Sequence, residues 1–268
     1  MRGGTELKTE LVEHLRTLHL PSFRDCFEEE ALRATRESLA YEHYLLELAA
    51  REVEDRSQRR IVRSLRESRL PLEKDLESFD LTRLPRKVQM QVKSLLDGEF
   101  LGRCENVLTF GNPGSGKTHL LCAIGQELIH RGHRILFTTC ALLVQELLTA
   151  KRDLKLAGKL KRLGRYAALI IDDIGYVQQN RDEMEVLFTL LADRYERGSV
   201  MLTSNLPFSR WESIFKDPMT TAAAIDRLVH HSVILELNLP RYRLQQSRKK
   251  AGSQSSKTGE ITVVEGKN

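Results

Sequence analysis

Apolar positions near the start of the chain recur at helical spacing: Leu7, Leu11, Leu15 and Leu18, then Phe23, Phe27 and Ala31 beyond Pro21. A longer helical pattern begins near Ser38, carries Tyr41, Tyr44, Leu45 and Leu48, and continues into "RSQRRIVRSLRESRLP", where Pro71 closes it. The next stretch, "LEKDLESFDLTRLP", loses the period and reads as a connector. From about residue 105 the pattern changes to short apolar runs: "NVLTF" (106–110), "RILFTT" (134–139), "AALIIDD" (167–173), "SVMLTSN" (199–205) and "HSVILEL" (231–237). Helical patterns separate them. Buried strands alternating with helices predict an α/β fold, a parallel sheet with helices on both faces, preceded by an all-helical region. Beyond "RYRL" the chain is polar, which predicts disorder. The expected divisions are a helical domain over 1–72, a connector and module start over 73–104, the sheet module over 105–245, and a polar tail over 246–268.

Composition narrows the class without deciding it. With 268 residues, 41% of them hydrophobic and 29% charged, the chain can bury a sizeable core and keep a solvated surface. No stretch approaches the roughly 18 apolar residues of a membrane span, and "MRGGTELKTE" lacks the apolar core of a secretion signal. Cys26, Cys104, Cys122 and Cys140 are widely spaced, which predicts reduced thiols of a cytoplasmic protein rather than disulfides or a zinc site. A net charge of +5 is a mild lean toward anionic partners.

The stretch "GNPGSGKTH" carries the first explicit chemistry. Gly111, Gly116, Lys117 and Thr118 fit G-x-x-x-x-G-K-[ST], after the apolar run 106–110 and before the helical run "HLLCAIGQELI". Glycines let the backbone curl so that successive N–H groups face one anion, and a helix N-terminus adds positive potential. The loop Gly111, Asn112, Pro113, Gly114, Ser115, Gly116, Lys117, Thr118 and His119 is therefore expected to hold ATP. Lys117 would reach the β- and γ-phosphates, and Thr118 would ligate Mg²⁺. A second magnesium ligand belongs at the end of a buried strand, where "AALIIDD" offers Asp172, with Asp173 placed to polarise the attacking water.

With these motifs in order, the chain resembles the AAA+ ATPases, and within them the IstB/DnaC-like branch of transposition helpers and helicase loaders. The resemblance runs over roughly residues 10 to 245 and rests on "LRTLHLPSF", "SRLPLEKDLESFD", the phosphate loop, "IIDDIGYV", "LTSNLPFSRW", "AAIDRLVHHSVILEL" and "RYRL". The helical N-terminal region followed by "LPLEKDLESFD" favours the transposition-helper subgroup. The resemblance implies that Asn205 is the sensor-1 residue orienting the lytic water, on a strand between the phosphate loop and the acidic strand. It implies that Arg227 is an arginine finger donated to a neighbouring subunit. It also implies a sensor-2 arginine at Arg243, although Arg241 stands where the family has serine and leaves two candidates.

Two basic stretches point to nucleic acid. Arg56, Arg59, Arg60, Arg63 and Arg66 fall on one arc of a helix, opposite Ile61, Val62 and Leu65. In "KRDLKLAGKLKRLGR", which also holds Arg152 and Lys161, Lys151, Lys155, Lys159 and Arg162 share a face opposite Leu156, Leu160 and Leu163. Neither stretch carries interleaved aromatics, so phosphate contact with duplex DNA is expected rather than base stacking. The combined expectation is an ATPase that assembles as a homo-oligomer on double-stranded DNA, with ATP at subunit interfaces, and presents or deforms a target for a cognate transposase. The alternatives are a replicative helicase loader preferring single strands, or an ATP-gated structural coat on DNA whose hydrolysis is incidental. No membrane role is expected.

Overall fold

The computed structural model describes residues 4–174, 181–207, 210–211 and 218–237. It divides into two compact units, the first ending at Ser64 and the second beginning at Leu65. Among the described residues, no helix is long and apolar enough to cross a membrane.

The first unit contains α1 (Gly4–Thr17), α2 (Pro21–Arg36) and most of α3 (Tyr41–Ser68). Pro21 opens α2, where a missing N–H costs nothing. The next N–H, on Ser22, donates to Glu52 Oε2 on α3 at 2.8 Å. Glu52 is buried, and burial pushes its carboxyl up. Hydrogen bonds from Arg56 and Ser22 outweigh that, and it ends below the ordinary carboxylate range. Buried Glu30 is paired with Arg33 at 2.9 Å and Arg51 at 3.1 Å. The leucine stripe contributes little here: Leu15 is buried, but Leu7 and Leu18 are 61% and 64% exposed. Directional polar bonds between helices do much of the joining, and they draw on the predicted basic arc. Arg56 donates to Glu52 at 2.6 Å and to the His19 carbonyl at 2.5 Å. Arg59 donates to the Asp55 carbonyl and to Ser22 Oγ. Opposite the arc, Ile61 is buried but Val62 is 65% exposed.

In the second unit a 3₁₀ turn at Leu81–Arg83 leads to α4 (Arg86–Leu96) and α5 (Glu99–Gly102). All five expected strands form: β1 (Asn106–Phe110), β2 (Ile135–Thr139), β3 (Ala168–Ile174), β4 (Ser199–Ser204) and β5 (Ser232–Glu236). They pair in parallel in the order β2-β3-β4-β1-β5. The intervening helices are α6 (Lys117–His130), α7 (Cys140–Arg152), α8 (Leu156–Leu163), α9 (Arg181–Arg194) and α10 (Pro218–Val229). Helix α6 is the most enclosed, with Leu120, Leu121, Cys122, Ala123 and Ile124 fully buried. Burial pushes the Cys122 thiol up to about 12, so it packs as an inert apolar group. This order sets the ends of β1, β4 and β3 side by side, the place where parallel sheets bind ligands.

One sequence expectation needs correction. Residues 151–162 do not form one helical face, because α7 ends at Arg152 and α8 starts at Leu156, with a turn between them. The turn is a Schellman stop: Lys155 N–H bonds the Ala150 carbonyl at 2.7 Å and Leu154 N–H bonds Lys151 at 3.2 Å. Beneath α8, Arg194 at the end of α9 is buried and donates to the carbonyls of Leu163, Tyr166, Ala167 and Ser199. Burial draws its guanidinium down to about 10. The hydrogen bonds that hold this cation all run to carbonyl oxygens, and they tie α8 and the starts of β3 and β4 to α9.

Candidate functional site

At the end of β1 the chain turns through Gly111, whose φ is +154°. A Cβ there would overlap the Leu237 carbonyl oxygen, so no larger residue fits. Gly114 and Gly116 follow at φ +81° and +98°, in the left-handed region where glycine carries no penalty. The curled loop delivers the chain into α6 at Lys117, and free N–H groups at that helix start face an incoming anion. Inside the loop Ser115 is buried, and its hydroxyl has no protein partner.

Lys117 Nζ donates to the carbonyls of Gly111 (2.8 Å) and Asn112 (3.1 Å) and to Asn205 Oδ1 (2.7 Å). Asn205, just beyond β4, passes the contact on by donating from Nδ2 to Asp173 Oδ1 at 2.9 Å. A second chain of bonds runs beside it. Thr118 Oγ1 and Thr203 Oγ1 both donate to Asp172 Oδ1 at 2.7 Å, and Asp173 N–H donates to Thr203 Oγ1 at 2.8 Å. Side chains alternate faces along a regular strand, so Asp172 and Asp173 would point apart. A bulge prevents this. Between Ile171↔Leu202 and Ile174↔Ser204, three steps along β3 match two along β4, and Asp173 takes a left-handed φ of +67°. Both aspartates thereby face one cleft.

That cleft has a volume of about 410 Å³ and is lined by the loop, Asp172, Asp173, Thr203, Asn205 and Lys74. This lies within the usual range for small-ligand sites. Burial lowers the Lys117 ammonium from its ordinary value, with Asp173 and Asp172 opposing the shift. Burial, then the neighbouring Asp172, raises the Asp173 carboxyl, against Lys117 and Asn205. Hydroxyl and carboxylate oxygens converging at Thr118 and Asp172 form the hard, oxygen-only donor set that Mg²⁺ prefers.

Two contributors were not legible as site residues. Thr203 bridges the aspartates from the middle strand. Lys74 enters from the connector, which is pinned to α6 by Gln126 donating to the Pro71, Leu72 and Lys74 carbonyls. His119, expected at the nucleotide, lines the cleft but also meets the connector at the Asp75 carbonyl (3.0 Å) and Ser78 Oγ (3.1 Å), and stacks edge-on with Phe79. The connector and its "LEKDLESFD" run therefore form one wall of the site.

Arg227 lies elsewhere. It is exposed on a separate cavity of about 240 Å³ together with Asn106, Val200 and His231, at the strand starts. A five-residue strand separates strand starts from the phosphate loop by roughly 13–17 Å. Arg241 and Arg243 lie outside the described residues. Among the basic residues, Lys151 pairs with Glu185 at 2.8 Å and Lys159 pairs with Glu146. Arg152, Lys155, Lys161, Arg162, Arg60 and Arg63 are exposed.

Comparison with known proteins agrees with this geometry. A family model described as "IstB-like ATP binding protein" matches residues 13–250. An insertion-sequence ATP-binding protein of Sinorhizobium fredii is 43% identical over 230 residues, 85% of this chain and 77% of that protein. The ATP-binding protein of insertion sequence IS21 from Pseudomonas aeruginosa is 38% identical over 239 residues, 89% of either chain. Among solved structures, the DnaC helicase loader aligns with a TM-score of 0.54 at 16% identity, over 62% of this chain and 97% of that one. AMPPCP-bound DnaA from Aquifex aeolicus aligns with a TM-score of 0.55 at 20% identity, over 70% and 57%. The sheet module thus has the AAA+ P-loop fold of those domains.

Proposed function

Because the chain belongs to the IstB-like ATP-binding protein family, we propose that it is the ATP-hydrolysing switch of an insertion sequence, assembling on duplex DNA in the cytoplasm and handing a target site to its transposase. ATP enters the cleft with its phosphates against the loop N–H groups and the Lys117 ammonium. Thr118 and Asp172 would hold Mg²⁺, whose charge would offset that of the phosphates. Asn205 and Asp173 orient and polarise the attacking water, with Asp173 taking its proton.

The observation that carries the reading is the position of Arg227. Each chain has a nearly complete phosphate site at the C-terminal ends of its strands and an exposed arginine beside their starts, too far away to serve its own ATP. Packing the strand-start side of one chain against the cleft of the next would bring Arg227 of one copy to the triphosphate of the other, so that hydrolysis requires assembly. The test is sedimentation and electron microscopy with duplex or single-stranded DNA under ATP, ADP or no nucleotide. Ordered assemblies on duplex under ATP are expected. Preference for single strands indicates the loader reading, and indifference to nucleotide a passive coat. Measured by phosphate release under the same conditions, R227A should bind ATP normally yet hydrolyse it at least about 10³-fold more slowly, the low end of what such a finger contributes. Unimpaired hydrolysis by R227A would remove the case for a shared site.

DNA contact is assigned to the α7–α8 hairpin, where Arg152, Lys155, Lys161 and Arg162 are exposed. Replacing these four with alanine should flatten the plot of log affinity against log salt by up to about 3.6, at roughly 0.9 per phosphate contact. An unchanged slope would move the DNA path off this hairpin.

A further inference from the structure

Of the described large apolar side chains, Leu154 is the most exposed, at 95%. It occupies the turn between α7 and α8 with φ +57°, at the position of the Schellman stop where glycine is the usual residue. The fold asks for a left-handed backbone there, which leucine adopts at a penalty. It asks nothing of the side chain, which is almost wholly in solvent. The apolar contact that often accompanies this stop joins other positions, here Lys155 and Ala150, so Leu154 is left projecting. The other described non-glycine residues at positive φ are His19, Ser38, Arg69, Cys104, Asp173 and Glu196. Leu154 is the one among them with a purely hydrocarbon side chain. The chain's own packing makes almost no use of that side chain.

What surrounds it identifies the partner. Arg152 and Lys155 flank it, Lys161 and Arg162 follow on α8, and all four are exposed. Asp153 is the acidic exception. Four exposed cations against one carboxylate suit a polyanion better than a second copy of this chain, which carries the same net positive charge. Apolar side chains such as leucine, carried by a basic element, are what proteins push between base steps to kink a duplex.

We infer that Leu154 is a wedge that enters duplex DNA at a base step and unstacks it while Arg152, Lys155, Lys161 and Arg162 grip the backbone. The inference rests on the DNA-binding reading above and adds to it a deforming residue. The assigned division of labour is that the cations set affinity and salt dependence, and Leu154 sets the bend.

The test uses the full chain with ATP and a duplex carrying end fluorophores to report bending, with 2-aminopurine to report unstacking. Wild type should bind, bend the duplex and raise 2-aminopurine fluorescence. L154A and L154N should bind with an unchanged salt slope but lose most of both signals. L154N is the stricter variant, because asparagine accepts the left-handed turn and leaves the hairpin intact. L154M, which keeps a flexible apolar tip, should retain both signals. Wild-type bending and unstacking in L154N would overturn the wedge while leaving DNA binding in place. So would wild-type binding without unstacking, or a change of assembly size in L154N without DNA, which would make Leu154 a subunit contact. Failure of wild type to bind duplex at all would remove the DNA reading itself, and the wedge with it.

Discussion

Replacing Lys117 with alanine is expected to weaken ATP binding by at least about 100-fold, roughly 2.7 kcal/mol at 1.36 kcal/mol per tenfold. The ammonium is the cation that closes the phosphate loop, and in the free chain it is held in place by two loop carbonyls and Asn205. Those partners fix it at the mouth of the cleft, so little ordering is left for ATP to impose. Burial already lowers its ordinary basicity, and an arriving triphosphate would restore it. Removing it also frees Asn205 Oδ1 from its lysine partner, so loss of hydrolysis should exceed loss of binding. Calorimetric titration with ATP measures the first, and phosphate release at saturating ATP the second. Affinity within threefold of wild type in K117A would mean that the triphosphate lies elsewhere.

The second large effect belongs to Asp173, and its two halves have opposite signs. D173N should keep ATP binding but lower hydrolysis by roughly 10²–10⁴-fold, the usual contribution of a positioned general base. The same change should make the nucleotide-free protein more stable at neutral pH. Burial, then Asp172, raises the Asp173 carboxyl in the folded chain. A carboxyl raised on folding destabilises the fold only once it ionises. That cost is absent below the ordinary carboxylate range, grows as pH rises toward the raised value, and is fully present at neutral pH. Asparagine removes the charge and still tolerates the left-handed φ of +67°. Thermal midpoints of D173N and wild type should therefore differ most near pH 7 and converge as pH falls toward 3. A D173N chain less stable than wild type at pH 7 would show that the hydrogen bond from Asn205 outweighs the charge.

How much of this was legible in the sequence depended on how local each signal is. The five strands announce themselves as apolar runs, and the phosphate loop as glycines at fixed spacing before a helix. The approach of Asn205 to Lys117 and Asp173 follows from strand order, which resemblance supplied and composition could not. Thr203 was missed because a threonine inside a buried strand looks like any other β-branched residue until β3 and β4 are paired. Lys74 was missed because the connector has no period, and its place depends on Gln126, 52 residues away in sequence. The hairpin at 153–155 was read as one continuous helix because helical spacing across a three-residue turn still lines up charges. In the first unit, an arginine that binds a glutamate one turn earlier looks the same in sequence as one facing solvent, which is how Arg56 came to stand among the DNA contacts.

The bulge at Asp173 has a further consequence. Registers between strands change only in whole residues, and each step reverses which side of the sheet a side chain takes. The two aspartates share one cleft solely because β3 carries one residue more than β4 over that span. The proposed hydrolytic site is therefore all-or-none. Small elastic distortions of the sheet leave both carboxylates aimed, whereas losing that surplus residue turns one of them away. A lineage can drift in loop length, surface charge and partner while the chemistry holds, but a single-codon deletion within β3 would silence it at once.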